Sequence, residues 1–356
     1  MRLLHGLSKK FRVPAAVLTL PLLWILPAQA QTMDEVIAGA KKEGEVRIAI
    51  TVREKEGNIV AAPRLIEAFQ KKYPFVKVRY TRLGGSRERE RVFTEMASGM
   101  VNYDVATLSQ TSIPNAVRAR ILRKVDWKGL GVTDGVYHPE GLGVNYRTQL
   151  FGMSYNKKLV SDEEAKTFTW DTCIDPKWKG KFAMDMRPRH LEVLYQEDGW
   201  GKDATLEYAR KLAANKPVLE VSRNEAESKL VDGAYSFICA QFWSAHQQEA
   251  VGNGVPHLGF IVPDPAVVSS GDIVFVPAGA KNTYAGILWI LWSISNEGMM
   301  LLDQVQFSGD PMVPGTSGYP LLEGKKVLRG SWEHQTKADE ILGSILKTMG
   351  LPIVVE

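Results

Sequence analysis

The sequence predicts an α/β protein of two lobes, each a mostly parallel sheet flanked by helices. Three observations carry this. Strand-like segments alternate with amphipathic helices, the pattern of βαβ units. The alternation occurs twice, on either side of a stretch at 125–148 rich in Gly, Asp and turn residues. The length of 356 residues suits roughly two domains of ordinary size.

The elements follow in order. Thr32 and Glu35 fit a capping box, and Met33, Val36, Ile37 and Ala40 recur at helical spacing. Gly44 fits the stop of that helix. Residues 46–51 alternate and are β-branched, so they read as a strand. A helix is expected over 63–72, ended by Pro74, then a strand at 76–80, a helix at 87–98 and a strand at 103–108. In the second half, strands are expected at 151–155, 181–184, 234–240 and 273–276. Helices are expected at 204–214, 224–231, 284–295 and 338–349. The apolar run at 284–294 is short and contains Gly286, so it reads as a buried helix rather than a membrane span. No repeat or low-complexity segment is present.

Hydrophobic residues make up 45% and charged residues 24%, which excludes a disordered tail or a collagen-like chain. The formal charge of +4 is local. Arg2, Lys9, Lys10 and Arg12 precede any acidic residue, and the chain after Ala30 holds forty charges of each sign. It therefore has no global field for nucleic acid or anionic lipid. The basic start, the apolar run at 13–27 and the small-x-small triplet Ala28-Gln29-Ala30 form the pattern of a secretory signal peptide cleaved after Ala30. An uncleaved anchor is the alternative. An exported chain can oxidise its two cysteines, Cys173 and Cys239. They can pair or stand as two small buried hydrophobes; the apolar strand around Cys239 favours the second reading.

No P-loop, nucleophile elbow or zinc-helix motif occurs, and the six histidines show no metal-ligand spacing. No cofactor, metal or catalytic residue is therefore expected. The informative positions are the strand-to-helix turns, because open α/β sheets bind ligands beyond the carboxyl ends of their strands. Thr51 and Arg53 follow the first strand, Gly85, Ser86, Arg87 and Arg89 the second, and Ser109, Thr111 and Ser112 the third. Asp185, Arg187, Arg189 and His190 follow the strand expected at 181–184 in the second lobe. Hydroxyls, glycines and arginines at such turns suit an anionic or polar ligand. Each has a plainer alternative: a solvated helix face for Arg87 and Arg89, caps or strand ends for Ser86 and Thr51. Phe242 and Trp243 are either core or a stacking wall, Tyr155 either hinge or cleft, and Asn224 opens a helix near the site.

The mature chain resembles the extracellular solute-binding proteins of ABC importers, of the periplasmic type II fold. The carrying segments are Ala40-Lys41-Lys42-Glu43-Gly44-Glu45-Val46, Leu65–Pro74, Tyr155–Val160 and Asp175-Pro176-Lys177-Trp178-Lys179-Gly180-Lys181. Their order and spacing make the resemblance specific. It implies one lobe from 31–147 and 265–305, a second from 148–264, and a last segment, 306–356, packed across both. It implies a monomer that captures a small-molecule ligand by hinge closure and delivers it to a membrane permease from the periplasm. The branch it is closest to contains ferric-ion binders and binders of small organic anions. Ferric-ion binders place adjacent tyrosines where this chain has Phe242-Trp243, and often an acidic residue, His or Tyr where it reads Thr51-Val52-Arg53-Glu54. Phenolate is a hard ligand for Fe³⁺, and Phe and Trp offer none. The expectation is a carboxylate or phosphonate, met by Arg53, Arg187 and Arg189. A ferric-ion binder and an exported two-lobed enzyme are the alternatives.

Overall fold

A computed structural model describes residues 32–51, 61–83, 86–109 and 112–353. The first helix forms as its ends dictate. Thr32 accepts from the backbone of Glu35, Glu35 accepts from the backbone of Thr32, and Gly44 closes the helix in the left-handed region.

The strands are β1 (Glu45–Ile50), β2 (Lys77–Arg82), β3 (Val105–Ser109), β4 (Val144–Asn156), β5 (Phe182–Asp185), β6 (Val218–Glu220), β7 (Phe237–Phe242), β8 (Leu258–Ile261), β9 (Ala266–Phe275) and β10 (Val327–Arg329). The helices are α1 (Met33–Glu43), α2 (Ala61–Lys72), α3 (Ser86–Ala97), α4 (Ile113–Arg118), α5 (Asp162–Ala165), α6 (Arg189–Leu194), α7 (Lys202–Ala214) and α8 (Arg223–Val231). There follow α9 (Trp243–Gln247), α10 (Thr283–Ser293), α11 (Asn296–Gln306), α12 (Trp332–Thr336) and α13 (Ala338–Met349).

All the strands join one sheet, in the order β2-β1-β3-β9-β4-β7-β5-β6, with β10 beside β9 and β8 beside β4. Pairing is parallel in β2-β1-β3 and again in β7-β5-β6. The steps β3–β9, β9–β4 and β4–β7 are antiparallel. Two parallel trios, each wrapped by helices, are thus joined through one long antiparallel pair.

That pair corrects the sequence reading twice. The strand expected at 151–155 begins at Val144, inside the stretch read as turns, and the strand expected at 273–276 is the tail of β9. The reason is burial. All thirteen residues of β4 are buried, so it shows no alternation, and Asn145, Arg147 and Gln149 make it look polar.

Apolar packing divides about this pair. One cluster gathers Ile48, Phe69, Trp127, Tyr146 and Trp289 around β1 and α10. Another gathers Phe151, Trp170, Phe182, Phe237 and Leu212 around β5 and β7. The last segment touches both ends: Trp332 packs with Ile273 and Phe275, and Ile341, Ile345 and Met349 of α13 pack in the second cluster. Helix α10 is largely buried, and no single described helix is long and apolar enough to cross a membrane.

Cys173 and Cys239 form a disulfide, which corrects their reading as two separate hydrophobes. Their apolar setting was read rightly, since both are fully buried, but the fold brings them together from 66 residues apart. The signal peptide and its site at Ala30 lie outside the described residues.

Candidate functional site

The carboxyl end of β5 carries the densest charge. β5 ends in Asp185, whose buried carboxylate accepts from the backbone N–H of Arg187 at 2.7 Å. Arg187 Nε lies 3.5 Å from the same carboxylate. Arg223, the first residue of α8, approaches from the other side, Nε to Asp185 Oδ2 at 2.9 Å. Arg189 opens α6 and lies 3.7 Å from the buried Glu192.

The charges that act on Arg223 are Asp185 and Glu192 against Arg187 and Arg189. Burial lowers the Arg223 pKa to about 10, with Asp185 pulling the other way, so it stays charged.

The end of β7 fixes Arg223. Ala240 has φ 57°, a left-handed conformation that costs a non-glycine residue about 1 kcal/mol. In it, the Ala240 carbonyl accepts from Arg223 Nη1 at 2.9 Å. The next residue, Gln241, accepts from the Phe242 N–H at 2.8 Å and donates to the Arg223 carbonyl at 3.0 Å. The Arg223 guanidinium then lies 3.8 Å over the Phe242 ring and 5.6 Å from that of Phe151. Trp243 starts α9, and its indole N–H donates to Ser317 Oγ at 2.8 Å.

Two buried groups back this wall. His190 is stacked on Trp170, and neither ring nitrogen has a partner. Burial, aided by Arg223, pushes its pKa down to about 3, so the ring is neutral. Ser154 Oγ joins Glu227 and His246 Nδ1, each at 2.9 Å. Burial raises Glu227 to about 8 and lowers His246 to about 3.

A second polar group lies at the carboxyl end of β3. Thr51, just after β1, shares a hydroxyl contact with Thr107 at 3.2 Å. Ser109, the last residue of β3, pairs in register with Asp272 of β9 and contacts Ser112 at 2.9 Å. Asp272 is held by Arg147 of β4 at 2.9 Å and by Arg89 of α3 at 3.6 Å.

The structure thus gathers Arg187, Arg189, Phe242 and Trp243 about the β5 and β7 ends, with Asn224 exposed beside Arg223. Thr51 stands at the β1 end, and Arg87 is exposed on the first turn of α3. Arg53, Gly85 and Thr111 lie outside the described residues, as does the side chain of Ser86. Tyr155 stands apart from these residues. It pairs with Phe237, the first residue of β7, and so stands at the opposite edge of the sheet from Phe242. Its ring packs on Phe168, and its hydroxyl donates to Asp162 at 2.7 Å.

Arg223 and Arg147 were missed. Arg223 lies one residue before the expected helix start, and Arg147 was hidden in the stretch read as turns. A charged residue immediately before Asn224 was the available signal for the first; the second had none. Among the described residues, no group of three or more His, Cys, Asp or Glu side chains could hold a metal ion.

Residues 64–325 match the family model of bacterial extracellular solute-binding proteins. The chain belongs to that family. It is a substrate-binding component of an ABC transporter, and its family is one of extracellular solute-binding proteins. Solved structures share the binding protein's fold at low identity. The Trichodesmium protein FutA, solved with iron and citrate, is 16% identical with a TM-score of 0.68, over 87% of this chain and all of that one. Iron-bound HitA from Pseudomonas aeruginosa is 14% identical with a TM-score of 0.62, over 85% and 99%. The spermidine/putrescine-binding protein PotD from Streptococcus pneumoniae is 17% identical with a TM-score of 0.56, over 88% and 93%. A search of curated proteins finds no match.

Proposed function

We propose that this binding protein works in the periplasm as a monomer and captures a small organic anion. Export would follow cleavage after Ala30. The lobes would be 31–147 with 265–305, and 148–264, with 306–356 packed across both. They would close about β4 and β9, and the closed form would deliver its cargo to a membrane permease. The role is binding rather than catalysis, and the balanced charge of the mature chain gives nucleic acid no purchase.

One observation carries the ligand class. Arg187, Arg189 and Arg223 converge at the β5 end about Asp185 and Glu192. Guanidinium groups recognise carboxylate and phosphonate in two-point geometry. Arg223 is held ready by Asp185, by the Ala240 carbonyl and by the Phe242 ring, so little ordering remains at binding. At the position where ferric-ion binders of this family carry tyrosines, Phe242 supports a cation and Trp243 donates to Ser317.

The test is a thermal-shift and calorimetric screen of the protein from Gln31 onward against organic anions, polyamines and Fe³⁺. A ligand at about 100 times its Kd should stabilise the fold by about 2.7 kcal/mol. The expected result is a shift with an organic anion, with affinity falling at least tenfold in Arg187→Ala. Tight Fe³⁺ binding with visible charge-transfer colour, and no response to anions, would overturn the reading.

A further inference from the structure

The Arg147–Asp272–Arg89 group at the β3 end repeats the pattern of the β5 end. Two guanidinium groups share one buried carboxylate. Arg147 is itself mostly buried, and its Nε has no hydrogen-bond partner. An unpartnered buried N–H donor is costly unless a ligand or water meets it. The register pairing of Asp272 with Ser109 puts the group at the carboxyl end of a parallel strand, where ligands of such sheets bind.

One strand joins the two groups. Arg147 and Phe151 are both on β4, and Phe151 lies beneath Arg223. Four residues of strand span on the order of 13 Å. The two sets of cations therefore stand apart along one strand, each anchored by its own aspartate.

We propose that the ligand carries two acidic head groups, as a short-chain dicarboxylate or phosphonocarboxylate does. One head would be met by Arg187, Arg189 and Arg223, and the other by Arg89 and Arg147. This rests on the anion reading above and narrows it: a single-headed anion would meet only one of the two arginine groups.

The test is calorimetry on the protein from Gln31 onward. Acetate, phosphate and methylphosphonate are the single-headed probes. The dicarboxylates from malonate to adipate, with phosphonoacetate, are the two-headed ones. The expected result is at least tenfold tighter binding of the best two-headed probe, with an optimum chain length that reads the spacing. Arg89→Gln, at a half-exposed position, should remove most of that advantage and leave the thermal midpoint in place. Arg147→Lys, which keeps the charge beside Asp272, should also reduce the two-headed advantage. Arg187→Ala should weaken both classes. Equal affinity for both classes would overturn the proposal. So would a two-headed advantage untouched in both Arg89→Gln and Arg147→Lys. Binding of no anion of either class would overturn the anion reading itself.

Discussion

The two parallel trios of the sheet bury similar apolar clusters but are locked by different chemistry. At the β1–β3 end, the polar centre is Asp104, just before β3. Its carboxylate accepts from the backbone and side chain of Arg47 and from the backbone N–H groups of Lys281 and Asn282, at 2.7–3.1 Å. Burial alone would raise its pKa, but these donors more than offset that and hold it below the usual carboxylate range. At the β5–β7 end, the lock is the Cys173–Cys239 disulfide, with Glu227, Ser154 and His246 buried in a hydrogen-bonded chain behind it. The first end is held by a charge that is always present at working pH. The second is held by groups that respond to redox state and pH.

Breaking the disulfide should therefore have the largest effect. A closed loop with 66 residues of separation contributes about 4 kcal/mol in the chain-entropy picture. Denaturant titration of Cys173→Ala/Cys239→Ala, or of the reduced protein, should show a loss of that order. A loss below about 1 kcal/mol would erase the contrast.

Asp104→Asn tests the other end. Removing the charge leaves Arg47 and the backbone donors short of an acceptor, and breaking such a buried pair costs about 3 kcal/mol. The loss should be insensitive to reductant, which separates it from the first.

The smallest and most specific effect concerns pH. Glu227 is raised to about 8 in the fold, so the folded state holds its proton more tightly than the unfolded state does. Its stabilising contribution is complete below the ordinary glutamate range and is lost as pH rises towards 8. In Glu227→Gln, the thermal midpoint should stop falling across that window. His190 and His246, pushed down to about 3 by burial, act in the opposite sense: stability should fall as pH drops from about 6.5 towards 3. A wild-type midpoint that stays flat from pH 4 to 8 would mean that neither buried group differs from its unfolded value.

Legibility in the sequence followed how local each signal is. The α1 cap at Thr32 and Glu35 appears as read, because capping depends on residues three apart. Helix α13 has the expected bounds, because its apolar stripe repeats at helical spacing. Arg187 and Arg189 stand just past the β5 end, where the sequence puts them, because a strand and the turn after it are local features. Arg147 was missed, because a polar residue in a doubly buried strand reads as loop until its partner Asp272, 125 residues away, is beside it. The place of Tyr155 at the far end of β4 from Phe151 was not legible, because sequence gives no position along a strand relative to its neighbours.

The sequence by itself determined the alternation of strands and helices, the likeness to solute-binding proteins and the arginines at the strand ends, since each depends on residue type at short spacing. Only the tertiary structure decided that Cys173 meets Cys239, that Arg223 lies on Phe242, and that Arg147 and Arg89 share Asp272. Those pairings depend on register and crossover in a single long sheet, where contacts between residues far apart in the chain are set by the whole packing rather than by any segment of it.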